Sequence, residues 1–259
     1  MQVAAALSEH PLATHALGEC VGHLLDMGGD APDVLVVMAT GQHVGALDDI
    51  VAAARQLLAP TVMCGATAAS VLAGAREVEE HPALSMFAIW GAPGAARPVR
   101  LERDDAAQLR GAAGTLVLFA DPFTCDPEEL LSAVGAVAPD LVVVGGMASA
   151  ARHRGGNRLV LDGAQFVDGA VGVLLDQSVP TQVVVSQGCR AVGDPMTVTA
   201  AERTVVRELA GRPALERLTE TVERLGPEDR VLAATGLQLG RVVQEQRDEF
   251  GPGDFLVRG

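Results

Sequence analysis

Lysine is absent from this 259-residue chain and so is tyrosine; all 19 basic residues are arginine. Without lysine there is no Schiff-base nucleophile, which excludes pyridoxal-phosphate and lysine-aldolase chemistry. It also removes the phosphate-gripping lysine of a P-loop or a kinase. Aromatic residues make up only 3%. No CxxC, HExxH or EF-hand ladder occurs, and His10 and His15 are five apart, off one helical face, so no metal or cofactor is expected. No GxGxxG follows a strand, and GxSxG fails at Ser186, which has Val184 two places before it. Long apolar runs are missing too. The most apolar stretch, LVVVGGMASAA (141–151), is too short to span a bilayer, and the N-terminus lacks the basic start and apolar core of a signal peptide. Positive charge is scarce: 33 acids give a net −14 and a pI near 4.7, which repels nucleic acid and anionic membranes. Four cysteines in such a chain make no disulfide framework, and a cytoplasmic protein with free thiols is expected.

What is present is an alternation of apolar runs. Residues 3–27 read as a helix. DVLVVMAT (33–40), GALDDIVAAARQLLA (45–59) and TVMCGAT (61–67) form a strand–helix–strand unit whose second strand is expected to break at Gly65. ALSMFAIW (83–90) is a strand. TLVLFAD (115–121), a helix over 125–137 with Asp126 as N-cap, and DLVVVGG (140–146) repeat the βαβ pattern without a clear sequence repeat. Beyond residue 150, RLVLDG (158–163), FVDGAVGVLLD (166–176) and TQVVVSQG (181–188) suggest a meander. PMTVTA and RTVVREL (203–209) extend it, PALERLTETVERLG (213–226) is helical, and GLQLGRVV and GDFLVRG are strand-like. The fold class expected is mixed α/β: parallel and antiparallel strands, in two packed layers flanked by helices or in one large mixed sheet, between which strand count does not decide.

Chemistry-bearing residues gather at glycine-containing strand ends. Cys64 and Gly65 in TVMCGATAAS, with Thr67, and Gln187, Gly188, Cys189 and Arg190 in VVVSQGCRAVGDP are expected to floor a pocket; Gly145 and Gly146 add a further wall. The arginine at the glycine turn suits two-point grip of a carboxylate, aided by backbone N–H groups near Gly188. An ordinary surface ion pair is the alternative for it. A nucleophilic cysteine needs a base. None of the six histidines lies in a signature; His43 after a strand end is the best placed, with a solvated loop position as its plain alternative. Asp168 in FVDGAVGV is read as ordering a turn.

VMCGATAAS, LVVVGGMAS, FVDGAVGVLL, VVVSQGCRAVGDPMTVT, GRPALERL and GDFLVRG, in this order, resemble the FIST family of F-box and intracellular signal-transduction proteins. Ala191 stands where that family commonly carries proline. The resemblance implies three parts: a helical lead-in (1–29), a FIST N-terminal domain (30–228) and the truncated start of a FIST C-terminal domain (229–259). It also implies a non-catalytic sensory module that binds a small ligand such as an amino acid, with a signalling protein as a further partner. A cysteine-dependent enzyme using Cys189 or Cys64, and a protein-interaction scaffold, are the alternatives.

Overall fold

The computed structural model describes residues 1–102, 106–184, 189, 191–202, 205–242 and 255–258. The chain divides into two compact units, Met1–Thr181 and Gln182–Gly259. Among the described residues no helix is long and apolar enough to cross a membrane.

The first unit runs β1 (Gln2–Ser8), α1 (Ala13–Gly28), β2 (Val34–Thr40), α2 (Leu47–Leu58), β3 (Val62–Ala68), β4 (Ser70–Ala73), β5 (Arg76–Glu79), β6 (Leu84–Trp90). It continues with β7 (Ala96–Leu101), β8 (Gly114–Ala120), α3 (Pro127–Val137), β9 (Leu141–Met147), β10 (Leu159–Leu161), β11 (Ala164–Phe166) and β12 (Ala170–Leu175). A six-stranded sheet has the order β1-β6-β2-β3-β10-β11, and a four-stranded sheet the order β7-β12-β8-β9. Both are mixed: β2 and β3 are parallel, as are β8 and β9, and every other pairing in these sheets is antiparallel.

The helices form because their apolar residues recur at helical spacing. In α2, Leu47, Ile50, Val51, Ala54 and Leu58 are buried on one face. In α1 the buried set is Ala16, Leu17, Cys20, Val21 and Leu24. Both faces pack on one side of the six-stranded sheet, against Leu35, Val37, Met86 and Ala88. Helix α3 starts at Asp126, whose carboxylate accepts the Glu128 and Glu129 N–H groups at 2.8 and 3.1 Å, and Pro127 sets its first turn. It packs Leu130 and Val134 on the outer side of the four-stranded sheet. Between the sheets lie Val34, Val62, Cys64 and Ile89 on one side and Val173 and Leu175 on the other. The unit is thus a helix–sheet–sheet–helix sandwich, the two-layer arrangement of the two expected.

The sandwich is built twice from one plan. In β1-β6-β2-β3 and in β7-β12-β8-β9, the first strand lies at an edge beside the last, and the second and third are joined by a crossover helix and run parallel. Each half therefore repeats the topology of the other with little sequence in common.

Several sequence expectations are corrected. Residues 3–27 are not one helix: Ala4, Ala6 and Ser8 alternate inward from β1, which pairs antiparallel with β6, and the helix begins at Ala13. The N-terminal 29 residues therefore belong to the sandwich. Strand β3 does not break at Gly65 but continues to Ala68. The strands between 158 and 176 do not form a meander. The β10–β11 hairpin turns at Asp162–Gly163, both at positive φ, and docks on β3, whereas β12 enters the other sheet between β7 and β8. Thr181–Val184 forms no strand, and the remainder of that expected strand (185–188) lies outside the described residues.

The second unit holds β13 (Val198–Glu202), β14 (Val205–Leu209), β15 (Arg212–Pro213), α4 (Ala214–Arg224), α5 (Pro227–Thr235), β16 (Leu239–Val242) and β17 (Phe255–Arg258). The first three strands make one antiparallel sheet and the last two another.

Candidate functional site

The carboxyl ends of the parallel strands of both sheets meet at the segment 148–158. The Ala148 N–H donates to Ala120 at the end of β8, and the Ser149 N–H donates to the Thr67 carbonyl near the end of β3. Ser149 Oγ accepts the Ala69 N–H at 3.0 Å. Thr67, fully buried, accepts the Arg158 N–H on its hydroxyl at 2.9 Å, and its own N–H donates to the Arg158 carbonyl. Gly41, just past β2, lies beside Ala150. Strand ends of both sheets gather here, and hydrogen bonds of this segment bridge them.

At the centre sit two buried polar residues that sequence reading missed. Asn157 donates to Asp121 Oδ1 at 3.1 Å and to the Ala148 carbonyl at 3.2 Å, and its side-chain oxygen accepts the Ala151 N–H at 2.9 Å. Asp121 also accepts the Thr124 hydroxyl at 2.8 Å and the Phe123 N–H at 3.2 Å. Its carboxylate is thus held by neutral donors, which satisfies a buried acid without a cation. The signal for Asp121 was its place at a strand end with Thr124 three residues on; Asn157 in GGNR carried none.

Of the residues expected to form a site, Cys64, Gly65 and Thr67 share β3. Cys64 is at mid-strand in the layer between the sheets, not at a turn, and burial, helped by the Asp162 charge, pushes its thiol up to about 12. Gly65 is also mid-strand; a Cβ there would lie 1.8 Å from the Val37 carbonyl oxygen, so glycine serves close strand approach rather than a turn. Gly145 and Gly146 are exposed on β9, at the edge of its sheet. The Ser149–Thr67 bond joins the continuation of β9 to β3. Cys189 belongs to the second unit, is exposed, and points its Sγ at Gln238 Oε1, 3.4 Å away. Gln187, Gly188 and Arg190 lie outside the described residues.

Asp168 pairs with Arg100 at 2.5 Å, and that guanidinium also donates to the Leu101 carbonyl and stacks 4.5 Å over Phe166. His43 sits in a 3₁₀ turn (Gly41–Ala46) between β2 and α2, not on a solvated loop. It is buried, its Nε2 has no hydrogen-bond partner among the described residues, and burial lowers its pKa against a smaller opposing pull from the His10 backbone. Among the described residues no three His, Cys, Asp or Glu side chains cluster so as to hold a metal.

The family model described as the FIST N domain matches residues 33–212. An uncharacterized protein of Mycobacterium bovis is 36% identical over 272 residues, an alignment that covers all of this chain and 69% of that protein. An uncharacterized protein of Mycobacterium tuberculosis is 33% identical over 267 residues, covering all of this chain and 70% of its own length.

Proposed function

The chain belongs to the FIST N domain family, a sensory domain family of signal transduction, and from that membership we propose that it binds a small ligand and is not an enzyme. The ligand class is an amino acid or another small carboxylate. Arg190 grips the carboxylate in two-point fashion, and the backbone around Gly188 adds N–H donors. The output passes to a signalling protein partner. The observation that carries this reading is the family match itself, whose span includes the SQGCR segment at 186–190.

The reading against a nucleophilic Cys64 is supported by the thiols of the sandwich. Cys64 and Cys20 are both pushed to about 12 by burial, far from the range of a working nucleophile.

Calorimetry and thermal shift with a panel of amino acids and small carboxylates test the reading. A ligand at a hundred times its Kd stabilises by about 2.7 kcal/mol, a readable shift in Tm. Arg190→Ala is expected to weaken binding at least tenfold. Binding that is indifferent to Arg190→Ala removes the assigned grip, and no hit at millimolar ligand overturns the ligand class.

A further inference from the structure

Helix α1 starts without the usual devices. Its N-cap residue is Leu12, which offers no capping side chain, and its first turn carries no acid. The Leu12 carbonyl accepts the His15 and Ala16 N–H groups at 3.1 and 3.0 Å, so the start of the helix depends on how Leu12 is held. It is held from His10: the Leu12 N–H donates to His10 Nδ1 at 3.1 Å. The His10 N–H donates in turn to Ser8 Oγ at 3.2 Å, Ser8 donates to the Glu19 carboxylate, and Pro11 has no N–H to give. The His10 ring also stacks on His15, in the first turn of α1, with centroids 4.5 Å apart and planes inclined by 12°. An imidazole accepts an N–H on Nδ1 only while that nitrogen carries no proton. Histidine is the side chain whose ordinary charge change falls between about pH 5 and 8.

We propose that the His10–His15 pair is a proton-sensitive latch on the start of α1, closed while both rings are neutral and released when they are protonated. Three effects act in the same direction. A proton on His10 Nδ1 turns the acceptor of the Leu12 N–H into a second donor facing it. Two imidazolium rings at stacking distance repel. Both cations also lie at the N-terminal end of a helix, where the macrodipole disfavours positive charge. The acids nearby are already engaged: Glu19 of α1 by the Ser8 hydroxyl, and Glu9 by Arg76 of β5. His43 faces the His10 backbone from the 3₁₀ turn, and burial there favours its neutral ring. Release is local. It frays the first turn of α1, while Leu17, Cys20, Val21 and Leu24 stay packed on the sheet.

Hydrogen–deuterium exchange on the whole chain at about pH 7.5 and about pH 5.5 tests this, corrected for the intrinsic pH dependence of exchange. Protection over residues 9–19 is expected to fall about tenfold at the lower pH, while that of α2 holds. His10→Asn keeps an acceptor for the Leu12 N–H, because an Asn side chain bonds the backbone two residues on, and it has no proton to gain. Its protection over 9–19 should be the same at both pH values. His15→Gln, at an exposed position, removes one of the two charges and should shrink the fall. His43→Leu leaves the Leu12 bond in place and should keep it. No fall in the unsubstituted chain overturns the latch, as does a fall shared with α2, which is acid unfolding of the sandwich. A fall that persists in His10→Asn, is undiminished in His15→Gln or vanishes in His43→Leu overturns it too.

Discussion

Gly65 in β3 and Gly145 in β9 are each pressed against the carbonyl of the parallel neighbour strand. A Cβ on Gly65 would come to 1.8 Å from the Val37 oxygen, and one on Gly145 to 1.8 Å from the Leu118 oxygen. In register, Val37 pairs with Gly65 and Leu118 with Gly145. Gly145 also has φ +145°, which an L side chain rarely adopts. The contacts are with backbone, which cannot rotate away as a side chain would. Gly65→Ala and Gly145→Ala are therefore expected to cost about 3 kcal/mol each or more, beyond ordinary overpacking. At Gly146 a Cβ meets nothing within 4 Å, and Gly146→Ala should leave Tm nearly unchanged. Equal Tm for Gly145→Ala and Gly146→Ala would show that the close approach is not a constraint.

The buried Asp121–Asn157 pair predicts a charge-dependent defect. Asn157→Ala removes three hydrogen bonds and leaves Asp121 with fewer donors, an expected loss of about 2–4 kcal/mol. Asn157→Asp keeps the size but sets a second carboxylate against Asp121 in a buried place. Like charges there raise the pKa of one acid, so this variant should be worse than Asn157→Ala at neutral pH and recover as pH falls toward about 5. Urea melts across pH separate the two; parallel pH profiles would show that the pair does not sense charge.

How far the sequence discloses this depends on whether the responsible contact is local. The faces of α2 and the cap of α3 are local, and both are legible from Leu47, Ile50 and Val51 and from Asp126. Strand β1 is not. QVAAALS alternates, but alanines fill it, and alanine is the strongest helix former, so pairing with β6 overrides propensity. The duplicated plan is hidden because the halves share little beyond the glycines at 65 and 145. Next to Cys64, Gly65 looks like a turn, whereas its reason lies in Val37, 28 residues earlier. Asn157 has partners at 121 and 148 and no local mark.

Thiol labelling separates the cysteines by place. Cys20, Cys64 and Cys125 are buried and Cys189 is exposed. Cys20 donates its S–H to the Leu84 carbonyl, and its thiol, like that of Cys64, is raised to about 12. At pH 8 in native buffer one thiol should react promptly with Ellman's reagent, and four after denaturation. Cys189→Ser should abolish the prompt reaction. Fast reaction of Cys64 would contradict the packed layer between the sheets.

His43 makes stability depend on pH with a definite sign. Burial lowers its folded pKa below the ordinary value of about 6.5, which the unfolded chain retains. Between the two values the unfolded chain binds more protons, so stability falls as pH drops from about 6.5 toward the folded pKa and levels off below it. The slope from one such group is at most about 1.4 kcal/mol per pH unit. His43→Leu removes the titrating group together with its unpartnered Nε2. Its stability should change less between pH 7 and pH 5 than that of the unsubstituted chain, read as the difference in Tm at the two values. An unchanged difference would assign the acid sensitivity to other groups and leave His43 without a part in it.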